Sequence, residues 1–318
     1  MRLILAAFLL SATTFFQAAH ATPSNQTDSE AVEIPFDPPE GESITYRTQA
    51  TETRDGVTIM RWSVDRVRFE RTDEGYKLIV ESESSGSNEQ DPRKLRAMKA
   101  VDDLTRKPFV LRLNEDAEIV ELEQADEYWA RIIDALRGAL TTPGQTPTPE
   151  ETKAIASVAD LFEKMPAESR LAQLTAPLQP LVEFAYFSME TSEPFRAQVE
   201  SPSPYGATLK QNVVISLSKV DRGIAYLTVR SSIPREELEK LSNAFISRLG
   251  GATSDADRVK LAAALAAMKD FQSETVADYR VALADGMLES FDSRQTITAV
   301  DNNRKNERIR TWSLARVR

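Results

Sequence analysis

The chain has 318 residues, 41% of them hydrophobic and 28% charged, with 39 basic against 49 acidic side chains. Those fractions belong to a globular protein, not to a disordered, collagenous or polytopic membrane one. There is no cysteine, and the single histidine is His20, so a chain that loses its first turns of sequence has neither residue. That closes disulfide, thiolate, Cys-His and Ser-His-Asp chemistry to it, along with ordinary zinc sites.

Residues 1–21 read as an export signal. Arg2 is the only charge before Asp28, residues 3–10 are apolar, and Ala19-His20-Ala21 sets small residues at −3 and −1 of a cleavage point. An uncleaved anchor is the alternative, because an apolar stretch over 3–19 lies at the lower limit of a spanning helix. Cleavage removes one arginine and no acid, and leaves a formal charge of −11. The expected location is periplasmic or secreted, soluble after cleavage, with no stable membrane insertion. Residues 22–41 are polar and then proline-rich (Pro35, Pro38, Pro39) and predict a flexible leader.

Hairpins follow over 42–140. Ile44, Tyr46 and Thr48 alternate with polar residues, Asp55-Gly56 turns the chain, and 57–69 is a second strand. In that strand Trp62 and Val64 share one face and Val67 and Phe69 the other, which predicts a bulge near Asp65-Arg66. Asp73-Glu74-Gly75 leads into Tyr76, Leu78 and Val80. Residues 82–91 read as a polar loop and 92–103 as a short helix. Phe109, Leu111 and Leu113 pair with 119–122, and Tyr128, Ile132, Leu136 and Leu140 recur at helical spacing.

A Thr/Pro/Gly linker over 138–149 opens a helical segment that runs to 206. Its stripes are Ile155, Val158, Phe162, Met165 and then Leu171, Leu174, Leu178, Leu181, the second broken by Pro177 and Pro180. A second sheet block with helices occupies 207–318. Its strands are 209–217, 224–229, 276–283, 287–300 and 308–317, with turns at Asp221-Arg222-Gly223 and Asp285-Gly286. Helices start at Pro234 and after Ser254, the latter with Leu261, Leu265 and Met268 inward. The class is α+β: a curved, half-barrel-like antiparallel sheet built from hairpins, with helices packed on one face. The two sheet blocks are open to forming one continuous domain or two. A short echo links them, since the run from Trp62 to Arg68 resembles the run from Trp312 to Arg318.

Phosphate-binding glycine loops, a nucleophile elbow and an EF-hand loop are absent. Ser216-Leu217-Ser218-Lys219 fits a serine-lysine pattern, but at the end of a strand the two side chains point to opposite faces. No catalytic residue, metal ligand or cofactor is nominated. Ligand-binding candidates are the bulky Phe184, Tyr186, Phe187, Trp62 and Trp312, with Arg66, Arg68, Arg308 and Arg310 from two arginine stripes. Such stripes cover a solvent face or form a cationic rim for phosphate or carboxylate. At fold level this resembles the half-barrels of exported lipid and lipoprotein carriers of the LolA kind, which are shorter. The expected function is non-enzymatic binding of an apolar or amphiphilic molecule, or of an envelope partner protein. A carboxylate-based hydrolase of envelope glycans and a structural or assembly factor are the alternatives. Nucleic acid is disfavoured by the overall sign of charge.

Overall fold

The computed structural model describes residues 31–54, 56–105, 107–140, 148–190, 193–203, 208–249, 269–301 and 304–317. The export signal with Ala19 and Ala21, most of the linker, and the helix expected after Ser254 lie outside the described residues. In chain order the elements are β1 (Ala31–Ile34), β2 (Ser43–Arg54), β3 (Val57–Thr72), β4 (Gly75–Ser87), α1 (Pro92–Thr105), β5 (Phe109–Leu113), β6 (Ile119–Leu122), α2 (Ala125–Leu140), α3 (Pro149–Glu163) and α4 (Ala167–Thr175). A 3-10 helix (Ala176–Leu181) follows, then β7 (Phe187–Glu190), β8 (Phe195–Pro202), β9 (Thr208–Asp221), β10 (Ile224–Ser232), α5 (Arg235–Leu249), β11 (Lys269–Ala282), β12 (Leu288–Asp301) and β13 (Arg304–Val317).

Eleven strands form one antiparallel sheet in the order β6-β5-β4-β3-β2-β13-β12-β11-β10-β9-β8, and β1 pairs separately with β7. The large sheet is open, with β6 and β8 at its edges. Each half is a meander of hairpins. The halves meet where β2 pairs with β13, from Thr45 against Val317 to Arg54 against Arg308. The two sheet blocks of the sequence are therefore one sheet.

Local chemistry explains the turns. Arg222 (φ 50) and Gly223 (φ 76) give β9–β10 a two-residue reversal whose left-handed backbone matches strand twist. Gly286 (φ 73) serves the β11–β12 turn for a second reason: a Cβ there would overlap the Pro35 carbonyl, and Asp37 N–H donates to Asp285 O at 2.9 Å. The proline-rich segment after β1 is thus pinned against a hairpin near the other end of the chain. β1 begins at Ala31, well ahead of Gly41, where the sequence places the onset of order.

Two other elements differ from expectation. β4 continues through the serines to Ser87 where the sequence reads a loop, because each of those residues pairs with β3. Trp62 lies over Gly86, where a Cβ would sit 2.8 Å from the ring. The register shift falls between Val64 and Asp65 in the β3–β4 pair, with Glu83 as the extra residue on β4. The β2–β3 pairing is unbroken. Trp62 and Val64 on one face and Val67 and Phe69 on the other are thus the two sides of one regular strand. Further on, α4 stops at Thr175 and gives way to 3-10 geometry at Pro177 and Pro180, which remove backbone donors.

One face of the sheet, here the inner face, carries the core. Ile44, Tyr46, Val67, Phe69, Leu78 and Leu111 come from one half, and Ile215, Leu227, Tyr279, Phe291 and Leu314 from the other. The segment from the 3-10 helix to β7 fills the space they enclose. Phe184 packs edge-on against Phe187 at 5.2 Å and against Tyr279 at 4.8 Å. Phe36, just after β1, meets Phe69 and Tyr76 in the same way. Trp129, Ile133, Ala159 and Met165 form a small satellite core between α2 and the α3–α4 region, and the Trp129 indole N–H donates to Phe162 O at 3.0 Å.

Glu183 stands out in this plug. It is buried, Gln179 is its hydrogen-bonding neighbour, and its Oε2 has no partner among the described residues. Burial raises its pKa well above the ordinary carboxylate value, and the Gln179 bond offsets this only in part. The folded chain therefore holds this proton more tightly than the unfolded one, and stability falls as pH rises above the unfolded carboxylate range. As pH rises above the unfolded carboxylate range, about pH 4, the wild type should lose stability relative to Glu183→Gln, measured by denaturant unfolding. Gly286→Ala should cost about 1–3 kcal/mol in the same assay, since it forces both strain and displacement of Pro35.

Candidate functional site

Strand alternation divides the inner face into two zones. Toward one end, Ile44, Tyr46 and Val67 are buried. Along the same strands polar and charged residues then join the inward positions. On β2 they are Thr48, Ala50 and Glu52; opposite them on β3 stand Ser63, Arg61 and Ile59. On β13 they are Leu314, Trp312 and Arg310, and beyond these on β12 Phe291, Ser293 and Gln295. Residues directly opposed in an antiparallel ladder share a face, so these side chains form one surface across four strands.

Three arginines gather around Glu52 on this surface. Arg308 Nη2 approaches Glu52 Oε1 at 2.6 Å and Arg310 Nε approaches Oε2 at 3.5 Å. Arg61 adds its charge to both Glu52 and Arg310. The Arg308 and Arg310 side chains retain only 14% and 21% of their exposure. Burial alone would raise the Glu52 pKa, but the Arg308 hydrogen bond and the charges of all three arginines outweigh it and hold the carboxyl below its ordinary value. At Arg310 the balance goes the other way. Burial and the Arg308 charge lower its pKa despite Glu52. Two half-buried cations sharing a carboxylate favour an additional negative charge nearby.

Beside the cluster lies an aromatic wall. Trp312 meets Phe291 edge-on at 4.9 Å. Its cross-strand neighbours are small, Ala50 on β2 and Ser293 on β12, and Ala277 stands next to Ser293 on β11. Small side chains thus flank the indole on both sides. At the boundary with the core, Asp65 accepts from Ser63 Oγ at 2.6 Å, and burial raises its pKa although Ser63, Ser82 and Thr48 all hydrogen-bond to it.

The sequence candidates do not converge on one site. Arg308, Arg310 and Trp312 share the inner face. Trp62, Arg66 and Arg68 project from the outer one, where Arg66 pairs with Glu83 and Arg68 with Glu70. Phe184 and Phe187 are core residues, while Tyr186 (φ 53) is exposed and stacks edge-on against Phe36 at 5.9 Å. The echo strands β3 and β13 flank β2 on its two sides, yet Trp62 opposes Gln49 and Trp312 opposes Ala50, so the two tryptophans face opposite ways. Arg61, Glu52 and Gln295 complete the site without having been nominated. Arg61 and Glu52 sit at alternating positions in phase with the core, a legible signal; Gln295 offers none.

A carboxylate pair exists on the outer face, where Asp278 opposes Asp292 in a shallow polar recess with Tyr226, Thr228 and Arg280. Thr228 Oγ1 bonds Asp278 at 2.6 Å. These carboxylates are neighbours on one sheet surface and do not flank a cleft. Among the described residues no group of three or more acidic side chains is placed to hold a metal ion, and no helix is long and apolar enough to cross a membrane.

No family model and no curated protein matches the chain. Among solved structures it is similar to one described as lipid-protein interactions in lipovitellin, with 8% identity and a TM-score of 0.45 over 88% of this chain. The chain spans 25% of the length of that structure's chain.

Glu52→Gln should lower the melting temperature at neutral pH by on the order of 2 °C, since it leaves the arginines to repel one another. Glu52 is held ionised in the folded state, so its contribution is present above the unfolded carboxylate pKa and lost below it. The deficit of the variant should therefore shrink as pH falls through the carboxylate range, followed by thermal unfolding.

Proposed function

We propose that this is an exported, non-enzymatic protein that binds an anionic amphiphile on the polar zone of its inner face. Arg308, Arg310 and Arg61 receive the negative group, and Trp312, backed by the buried Phe291, receives the adjoining apolar part. The supporting observation is the pairing of the partly buried Arg308 and Arg310 with Glu52, next to an aromatic wall and with the exposed Arg61 on the adjoining strand. Guanidinium binds phosphate and carboxylate in a fork, and it does so more strongly where water is partly excluded. The helices lie over the same face as a lid in this reading, and residues 1–21 direct export. Binding an envelope protein on this surface is the competing reading, and it predicts indifference to lipid.

The experiment is native mass spectrometry and vesicle flotation with the full chain purified gently from the envelope of its host. The protein should carry an extractable anionic lipid and float with phosphatidylglycerol vesicles but not with phosphatidylcholine vesicles. The double variant Arg308→Ala/Arg310→Ala should bind at least about tenfold more weakly while remaining folded by circular dichroism. A ligand-free mass together with equal flotation on both vesicles would overturn the proposal.

A further inference from the structure

Gln295 lies in the same surface, and nothing above gives it a role. It is directly opposite Arg310 on β13 and directly opposite Thr275 on β11, so it sits between the arginine cluster and the rest of the polar zone. Only 6% of it is exposed, and its Oε1 has no hydrogen-bond partner among the described residues. A buried carbonyl oxygen without a donor is unfavourable, and native chains rarely tolerate one without a use. None of the groups around it supplies the donor. Arg308 and Arg310 donate to Glu52, Ile297 along the strand is apolar, Trp312 meets Phe291 edge-on, and the nearest hydroxyls, Ser293 and Thr275, make no hydrogen bond to Oε1. A ligand that only accepts hydrogen bonds, such as a bare carboxylate or a phosphodiester, would suit the arginines and leave Gln295 unfilled.

We infer that the ligand of this site carries a hydroxyl or N–H donor next to its negative group, and that Gln295 Oε1 accepts from it. This rests on the anionic-amphiphile reading and narrows its chemistry to polyol-type anionic head groups. Discrimination by a buried polar group is strong because the wrong ligand leaves the amide unpaired where water does not reach it. Ala50 and Ser293 are the small residues on either side of Trp312. The same chemistry occurs in a lipid head group and in a free polyol phosphate. The aromatic wall bears on the acyl part alone.

The test compares three probes on the full chain: vesicles containing phosphatidylglycerol, vesicles containing phosphatidylmethanol, and soluble glycerophosphoglycerol. The first two lipids carry the same charge and differ only in the head-group alcohol, glycerol with two free hydroxyls against methanol with none. The wild type should prefer phosphatidylglycerol by roughly tenfold, the value of one satisfied buried hydrogen bond. Gln295→Met should abolish the preference, so that the variant binds phosphatidylglycerol and phosphatidylmethanol vesicles equally. Equal wild-type binding to the two vesicles overturns the inference even though anionic amphiphile binding stands. The wild-type comparison decides the matter if the variant fails to fold. Binding of glycerophosphoglycerol as tight as that of the vesicles upholds the donor and removes the amphiphile. Binding to none of the three removes both readings together.

Discussion

The antiparallel ladder between β2 and β13 is the interaction on which the rest of the structure depends. Every other pairing within the large sheet joins strands that are consecutive in the sheet strands of their half, most of them across short connections, with α1 between β4 and β5 and α5 between β10 and β11. β2 and β13 come from opposite ends of the described chain. Their ten opposed residue pairs, from Thr45–Val317 to Arg54–Arg308, make one sheet out of two meanders. Closing so long a loop costs entropy that only the completed core offsets, so this seam should form late and hold cooperatively. Both the core and the candidate site straddle it. Tyr46 and Leu314 sit on its two sides at the apolar end, and Glu52 and Arg310 face each other at the polar end.

That geometry accounts for the contrast between the two zones. Where the plug of Leu181, Val182, Phe184 and Phe187 fills the inner face, the inward residues are apolar and nearly dry. Tyr46 shows the rule at the border, its hydroxyl spent on Leu288 O at 2.9 Å and its pKa raised by burial. Farther along the same strands the inward residues are arginine, glutamate, serine and glutamine. Charged groups at inward positions cost desolvation and are seldom the most stable choice for an enclosed surface. Their presence in phase with the core, on strands whose outward positions already carry threonine and arginine, is the feature on which the proposed binding site rests.

Much of the hairpin order is legible in the sequence, because turn residues are local. Asp221-Arg222-Gly223 and Asp285-Gly286 mark reversals that the structure contains, and the positive φ of Gly223 and Gly286 gives the reason. β1 and β7 escape detection because four residues carry too little periodicity. In β8, Phe195, Ala197 and Val199 do alternate and could have been read. The serines of β4 suggest a loop by propensity, and tertiary pairing with β3 overrides it. Of the site, Arg308 and Arg310 are visible as a two-residue repeat in phase with Trp312. Arg66 and Arg68 show the same repeat on the outer face, and only the register separates the two cases. That Glu52 meets Arg310 is a property of the seam, and no local pattern carries it.

Native-state hydrogen exchange, resolved to single amides, addresses the seam directly. The account predicts that the amides of β2 and β13 exchange only through global unfolding, with the same opening free energy as β3 and β12 beside them. Faster exchange at β2 and β13, with β3–β5 and β9–β12 each still protected, would show two independently stable halves. It would contradict the claim that one seam holds both the fold and the site together.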